Sequence, residues 1–228
     1  MAVLSKMFSF AERRGLRNKG TNPCKGHERY KEKSRERWLS DDEMERLGRV
    51  LDKAATEGRE SPFVVAALKL LLLTGARRGE ILGLKWDHVD FDRGVLALPD
   101  SKTGAKFIGL NAPALEVIKS IPRVDGNPYV IVGERAGKHL VNLTKPWLRL
   151  RAQAGLDDVR LHDLRHNFGS RAASAGHALP IIGKQMGHAH VATTARYSHA
   201  MPEPVRQMNQ EVGKQIATAL GRRSRGRK

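Results

Sequence analysis

Apolar residues recur every three or four positions along much of this chain, which is the pattern of helices that bury one side. The clearest helix start is Ser40, which forms a capping box with Glu43, and we expect a helix from there to about Glu57. Pro62 suits the first turn of the next helix, and residues 63–73 are almost wholly apolar. We therefore predict that this next helix lies in the core of the protein.

Short apolar or alternating runs then indicate a small sheet. They cover residues 89–91, 95–98 and 106–110, and turns that contain glycine separate them. Helical spacing marks the remaining segments, which are 3–14, 77–84, 112–120, 144–154, 161–175, 179–187 and 191–197. The predicted fold class is mainly α with a small three-stranded antiparallel sheet, an α+β arrangement.

Three parts of the chain differ in composition. Residues 1–37 hold one short amphipathic helix and then a segment rich in Gly, Asn, Pro and charge, which is typical of a linker. Residues 38–201 contain the predicted sheet and most helices, and form the main domain. Residues 202–228 begin with two prolines, continue as a helix, and end in a basic tail, GRRSRGRK, that we expect to be disordered.

The charge balance of the chain narrows its partners. Its 228 residues include 41 Lys and Arg against 24 Asp and Glu, a formal net charge of +17, which favours an acidic polymer such as nucleic acid. The alternative is a basic protein without such a partner, because net charge says nothing of mechanism. Cys24 is the single cysteine, which excludes an intrachain disulfide, and we find neither a signal peptide nor a run of about 20 apolar residues. We expect a cytoplasmic protein with no membrane partner, located at the nucleoid if the cell is bacterial.

Residues 161–199 concentrate the candidate chemistry. His162 and Arg165 are three residues apart, so on a helix they would share one face that suits a phosphate. Gly187 and His188 follow, and Tyr197 comes later in a polar, threonine-rich stretch, which is unusual for a core tyrosine. Arginine offers a fork of donors for phosphate oxygens, histidine offers a proton site near neutral pH, and tyrosine offers an oxygen that can become a covalent nucleophile.

Three sequence blocks complete this pattern. They are TGARRGEIL at 74–82, SKTG at 101–104 and HDLRH at 162–166. Together with the Gly-His pair and the tyrosine, they resemble in order and spacing the signature of the tyrosine recombinase (phage integrase) family. In this resemblance Arg77 corresponds to the first catalytic arginine and Lys102 to the catalytic lysine. The likeness covers roughly residues 38–211 and implies the family's catalytic-domain fold and DNA strand exchange.

The resemblance also implies a role for each residue at a DNA phosphate. Tyr197 would be the nucleophile and would form a 3′-phosphotyrosyl bond, which preserves the phosphodiester energy without ATP. Arg77 and Arg165 would neutralise the nonbridging oxygens, which makes a metal ion unnecessary. Lys102 would protonate the leaving 5′ oxygen, with Lys106 as the alternative acid. No cofactor is expected.

The histidines and one acid complete the predicted site. His162 could accept the tyrosine proton or hold the phosphate, and His188 could donate a hydrogen bond to a nonbridging oxygen. Glu80, three residues after Arg77, would orient neighbouring groups, and His166 would support the site or serve in packing. A metal site is the alternative for the histidines, but no cysteine or glutamate completes a zinc ligand set, so we expect none.

These features predict site-specific DNA recombination by strand cleavage and rejoining, on double-stranded DNA and by a homo-oligomer, a tetramer. The family's C-terminal helix often docks on a neighbouring protomer, and apolar positions at helical spacing between 205 and 220 imply the same here. Residues 1–37 resemble the last helix and linker of the family's core-binding domain. Two alternatives are a truncated competitor or regulator that binds DNA without recombining it, and a type IB topoisomerase, which shares the chemistry without a specific site.

Overall fold

The computed structural model describes residues 1–27, 37–99, 104–188, 191–195, 197–198 and 206–215. The chain forms two compact units, Met1–Glu36 and Arg37–Lys228. In the first unit, helix α1 (Ala2–Arg13) is followed by a loop whose Asn22 side chain donates hydrogen bonds to Ser5 O and Ser9 Oγ, both at 3.0 Å. The interpretation of this unit as the end of a core-binding domain stays a prediction.

The second unit is mainly helical. Its helices are α2 (Asp41–Thr56), α3 (Pro62–Thr74), α4 (Arg78–Leu82), α5 (Ala112–Ser120), α6 (Thr144–Gln153), α7 (Asp163–Ser174), α8 (Leu179–Met186) and α9 (Val191–Ala195), and residues 206–215 are also helical. A short 3-10 helix (Trp86–His88) leads into the strands β1 (Val89–Asp90), β2 (Val95–Leu98) and β3 (Lys106–Gly109). The predicted fold class, mainly α with a small three-stranded antiparallel sheet, is confirmed. In the part of the chain that is described, no helix is long and apolar enough to span a membrane.

Helix α3 forms the centre of the hydrophobic core. The Ser61 side chain caps its first turn by accepting a hydrogen bond from Phe63 N, and Pro62 occupies the first position, where no amide donor is needed. Apolar side chains cover nearly every side of the helix and are buried, and the helix packs against α2, α5 and α7. Burial of each valine or leucine contributes about 1.5–3 kcal/mol relative to exposure, so this helix stabilises the whole unit. The prediction of a buried core helix is confirmed.

The three strands form an antiparallel sheet in the order β1-β2-β3. Leu98 at the end of β2 lies opposite Lys106 at the start of β3. Because side chains alternate along a strand, Lys106 and Ile108 share the inner face of β3, while Phe107 is 64% exposed on the other face. The turn between β2 and β3 includes Lys102, which lies outside the described residues.

Helix α7 begins two residues later than the pattern predicted. Its first residue is Asp163, and His162 is the residue just before the helix. The reason is local, because the Asp163 carboxylate accepts a hydrogen bond from Arg160 N at 2.8 Å and closes a turn in front of the helix. The predicted shared helix face is therefore replaced by a histidine at the helix entrance and Arg165 in the first turn.

Helix α9 is also shorter than predicted and ends at Ala195, so Tyr197 stands in a turn. The Tyr197 amide donates to Thr194 O at 3.0 Å. Helices α8 and α9 pack closely at Gly183, where a Cβ would lie 2.7 Å from Thr194 Oγ1. Tyr197, which follows α9, packs in one hydrophobic cluster with residues of α7 and α8.

Candidate active site

Arg77 precedes helix α4 and is held by Glu80 in the first turn of that helix. The Arg77 amide donates to Glu80 Oε2 at 2.8 Å, and Arg77 Nη1 donates to Glu80 Oε1 at 3.0 Å. Arg77 Nη2 donates to Gly187 O at 2.6 Å, across a separation of 110 residues in the sequence. The side chain remains 27% exposed, so the oriented guanidinium can still face a ligand that arrives from solvent.

Arg165 lies in the first turn of α7 and is only 5% exposed. Its Nη1 donates to Gly75 O, and its Nη2 donates to Met186 O at 2.8 Å. Gly75 ends α3 in the left-handed conformation, with a φ of +64°, and a Cβ there would lie 2.6 Å from the Phe168 ring. The backbone and the close approach of α7 therefore both require glycine at this position.

Both arginines meet at the C-terminal end of α8. Arg165 binds the carbonyl of Met186, and Arg77 binds the carbonyl of the next residue, Gly187. Carbonyls at a helix C-terminus lack partners within the helix and carry partial negative charge, which suits cations. Gly187, with a φ of +68°, ends the helix, and His188 follows directly. Two guanidiniums that are far apart in sequence are thereby placed on adjacent carbonyls.

Glu80 also binds Lys106, whose Nζ lies 2.7 Å from Glu80 Oε1, and the two side chains are only 9% and 10% exposed. Burial by itself raises the pKa of the Glu80 carboxyl, but hydrogen bonds from Lys106 and from the Arg77 amide outweigh it and hold that pKa below its usual value. Burial lowers the pKa of the Lys106 ammonium, and the Glu80 carboxylate opposes this only in part. The site thus contains a buried ion pair next to Arg77.

Tyr197 is buried, with only 2% of its surface exposed. Its ring lies against Gly169 of α7, where a Cβ would be 2.4 Å from Tyr197 Cζ. The ring belongs to a small apolar cluster with Ala173, Ile182 and Met186. The polar sequence neighbours of Tyr197 indicated a residue outside the core, and that inference is wrong, because its packing partners come from α7 and α8 rather than from adjacent positions.

Two histidines contact Tyr197. The tyrosine hydroxyl forms a hydrogen bond with His166 Nδ1 at 3.2 Å. The His188 ring is stacked on the tyrosine ring, with centroids 6.4 Å apart and 12° between the planes, and His188 Nδ1 forms a hydrogen bond with Thr194 Oγ1 at 2.8 Å. The His162 ring meets the His166 ring edge-on at 4.8 Å. His166, for which the sequence predicted only support or packing, therefore contacts the predicted nucleophile directly.

Comparison with known proteins decides the family. A sequence profile of the Phage integrase family matches residues 33–203, which is more than half of the chain. The chain belongs to the phage integrase family. The resemblance stated from its motifs is therefore confirmed.

Similar members of the phage integrase family include tyrosine recombinases. Tyrosine recombinase XerD of Brucella suis biovar 1 (strain 1330) is 28% identical over 188 residues, which cover 74% of this chain and 61% of XerD. The crystal structure of XerA recombinase superposes with a TM-score of 0.62 at 25% identity, covering 79% of this chain and 66% of that chain. The structure of XerH recombinase bound to its difH substrate superposes with a TM-score of 0.59 at 24% identity, covering 71% of this chain and 49% of that chain, and shows likeness of fold. This chain thus spans less than two thirds of the length of XerD.

The predicted signature residues of this phage integrase family member are gathered in one region of the described chain. Arg77, Glu80 and Arg165 meet at the end of α8. The Tyr197 ring stacks with the ring of His188, which directly follows the end of α8. The predicted lysine of the β2–β3 turn lies outside the described residues, and the catalytic role of each residue stays a prediction.

Sequence reasoning did not single out several contributors to this region. The Gln185 side chain accepts from Gly109 N and donates to Gly109 O, both at 3.0 Å, and donates to Thr74 O, so it joins β3 to α8 and α3. Gly169 carried a usable signal, because glycine inside a helix is unfavourable and often marks a close approach. Within the described ranges, no group of three or more His, Cys, Asp or Glu side chains could hold a metal ion.

Proposed function

We propose that this chain carries the catalytic domain of a site-specific DNA recombinase, which cleaves and rejoins strands through a 3′-phosphotyrosyl intermediate without metal or ATP. The observation that carries the proposal is the meeting of two arginines at the end of α8, beside a tyrosine whose hydroxyl is hydrogen-bonded to a histidine. Membership of the phage integrase family supports it. The chain covers only 61% of the length of XerD, so recombination as a complete reaction is proposed for this protein.

In this proposal Arg77 and Arg165 neutralise the nonbridging oxygens of the scissile phosphate. A phosphodiester under attack develops additional negative charge, and cations that are already fixed stabilise it without a cost of reorganisation. Arg165 is held by two backbone carbonyls, which accept hydrogen bonds without cancelling its charge. Arg77 is held by one carbonyl and by Glu80, and it remains partly exposed.

Tyr197 is the proposed nucleophile. A bond forms between its oxygen and the phosphorus, the bond from the phosphorus to the 5′ oxygen breaks, and the tyrosine proton passes to a histidine. We assign His166 as the acceptor of that proton because its Nδ1 lies 3.2 Å from the hydroxyl, and His162 is the second candidate acceptor. Attack by a 5′ hydroxyl on the phosphotyrosine reverses the step, so rejoining needs no ATP. Because Tyr197 is buried, DNA must gain access to its hydroxyl before cleavage.

The leaving 5′ oxygen needs a proton, and we assign its delivery to Lys102. This assignment depends on the SKTG motif, because the turn that carries Lys102 is outside the described residues. Lys106 is the alternative acid, although its Nζ is buried and paired with Glu80. His188 completes the proposed set as a donor to a nonbridging oxygen.

Double-stranded DNA is the proposed substrate, and the net charge of +17 supports attraction to it. A homo-tetramer on DNA, joined through the C-terminal helix, is part of the same proposal. On the helical residues 206–215, Met208 is 53% exposed and Val212 is 44% exposed, which leaves apolar surface for a neighbouring protomer. A cytoplasmic location at the nucleoid follows from DNA as the substrate and stays part of the proposal.

A nicked suicide duplex tests the function. The nick lies close to the cleavage point, so the short fragment diffuses away and the covalent adduct is trapped as a shifted band on a denaturing gel. The DNA that adjoins the coding region of this protein supplies candidate sites. We expect the wild-type chain to form the adduct and Tyr197→Phe, which keeps the ring but lacks the nucleophilic oxygen, to form none while binding DNA equally well.

Tyr129→Phe is the matched control, since it removes the same atom from a tyrosine that packs on His139 instead. It should form the adduct at the wild-type rate. An adduct with Tyr197→Phe would refute the assignment of the nucleophile. Absence of any adduct with the wild-type chain, on DNA that it binds, would refute the proposed function.

A further inference from the structure

Lys106 is a buried lysine at the centre of the site. It lies on the inner face of β3, its side chain is only 10% exposed, and its Nζ atom is shielded from solvent. Lysine is almost never fully buried unless it is paired, because removing an ammonium from water is costly. We therefore expect the positive charge of Lys106 to have a function at this position.

The partner of Lys106 is shared with Arg77. Lys106 Nζ and Arg77 Nη1 both bind Glu80 Oε1, at 2.7 Å and 3.0 Å. These three groups together carry two positive charges and one negative charge, so one positive charge remains. Without Lys106, Glu80 and Arg77 would form a closed pair with no net charge, and Arg77 would offer far less to an anion.

We propose that Lys106 is a positioning residue of the recombination reaction, which neutralises Glu80 and so leaves the positive charge of Arg77 available to the scissile phosphate. The inference rests on the proposed function and deepens it, because it explains how the first arginine can be both oriented by a carboxylate and effective as a cation. Lys106 acts through Glu80 and Arg77 and does not itself contact the DNA.

The packing around Lys106 agrees with this role. A Cβ on Gly187 would lie 2.6 Å from Lys106 Nζ, so the lysine packs on the residue whose carbonyl binds Arg77. Lys106 thus touches both supports of the Arg77 guanidinium. Attachment of β3 to α8 does not depend on Lys106 alone, because Gln185 pairs with both backbone groups of Gly109. The charge of Lys106 can therefore be removed while the strand keeps another connection.

Four proteins test the inference through single-turnover adduct formation on the suicide duplex at saturating DNA. Lys106→Met keeps an unbranched side chain as far as Cε and removes the charged ammonium, and we expect the rate to fall roughly 10- to 100-fold. The double variant Glu80→Gln with Lys106→Met also removes the negative charge beside Arg77, and its single amide oxygen can still accept one of the two hydrogen bonds that Arg77 donates to Glu80, so it should react faster than Lys106→Met. Lys119→Met removes one lysine from an exposed position of α5 and should react like the wild type.

Two further measurements separate this role from folding and from acid catalysis. Unfolding curves in urea show whether each variant is folded. If Lys106→Met does not fold, Lys106→Arg takes its place as the test. Because arginine keeps the positive charge, the rate of adduct formation by Lys106→Arg should stay within about threefold of the wild-type rate. A substrate with a sulfur atom at the 5′ bridging position needs no general acid, because a thiolate leaves readily. We expect the defect of Lys106→Met to persist on that substrate.

The inference is overturned if Lys106→Met cleaves at the wild-type rate, if the double variant is no faster than the single one, or if the sulfur substrate removes the defect. The last outcome would assign Lys106 as the acid. In each of these cases the wild-type adduct still forms, so the proposed function stands. If the wild-type chain forms no adduct, the proposed function fails, and the inference fails with it.

Discussion

The close packing of Tyr197 on Gly169 can be tested by the effect of Gly169→Ala on stability. We expect this substitution to destabilise the wild-type chain but to stabilise a variant that lacks the tyrosine ring. A Cβ on Gly169 would lie 2.4 Å from Cζ of the Tyr197 ring and 2.7 Å from both Cε atoms. Ordinary carbon contacts are about 3.5–4.0 Å, so the ring would have to move as a rigid body. Gly169→Ala therefore acts on the tyrosine itself, through the helix against which its ring packs.

The size of the effect follows from two opposing contributions. Alanine is favoured over glycine inside a helix by about 1 kcal/mol, and overpacking a filled site costs about 1–3 kcal/mol. Gly169→Ala should therefore change the free energy of unfolding of the wild-type chain by about 0–2 kcal/mol in the destabilising direction. In a Tyr197→Ala background the clash is absent, and the same substitution should stabilise by about 1 kcal/mol.

Urea unfolding of the wild type, Gly169→Ala, Tyr197→Ala and the double variant gives a double-mutant cycle. The expected coupling between the two positions is about 1–3 kcal/mol, well above the error of such a cycle for contacting residues. Gly48→Ala is the control, since Gly48 also lies in a helix and a Cβ there would meet nothing within 4 Å. Gly48→Ala should stabilise the wild-type chain and the Tyr197→Ala variant equally. Equal effects of Gly169→Ala in both backgrounds would show that the ring does not rest on Gly169 and would refute the buried position of Tyr197.

Two further predictions concern pH and metal ions. Hydrogen bonds from Arg37 lower the pKa of the Glu43 carboxyl from 4.5 to about 2, so the stability that this pair contributes is complete above pH 4.5 and is lost as the pH falls towards 2. Unfolding in urea at a series of acidic pH values should show a steeper loss for the wild type than for Glu43→Gln, and parallel losses would contradict the pair. Adduct formation should also continue in EDTA, because arginines rather than a metal are proposed to neutralise the phosphate. Activity that is lost in EDTA and restored by zinc or magnesium would instead favour a metal site at the histidines.

The sequence was sufficient for most elements of the main unit. The capping box of Ser40 and Glu43 and the proline at the start of α3 predicted where these helices begin. Such signals are reliable because a cap acts on the amides and carbonyls of its immediate neighbours. The order of the short motifs likewise predicted the family, since it depends on residue types and spacing alone.

Only the tertiary structure decided the surroundings of the candidate residues. The sharing of Glu80 by Arg77 and Lys106 joins a helix to a strand, and the partners of Arg165 are backbone carbonyls, which no side-chain pattern reveals. The burial of Tyr197 came from α7 and α8, whereas its polar neighbours in sequence predicted the opposite. Periodicity tells which side of an element is apolar but not which distant element covers it, so contacts between segments far apart in sequence emerge only when the whole chain is packed.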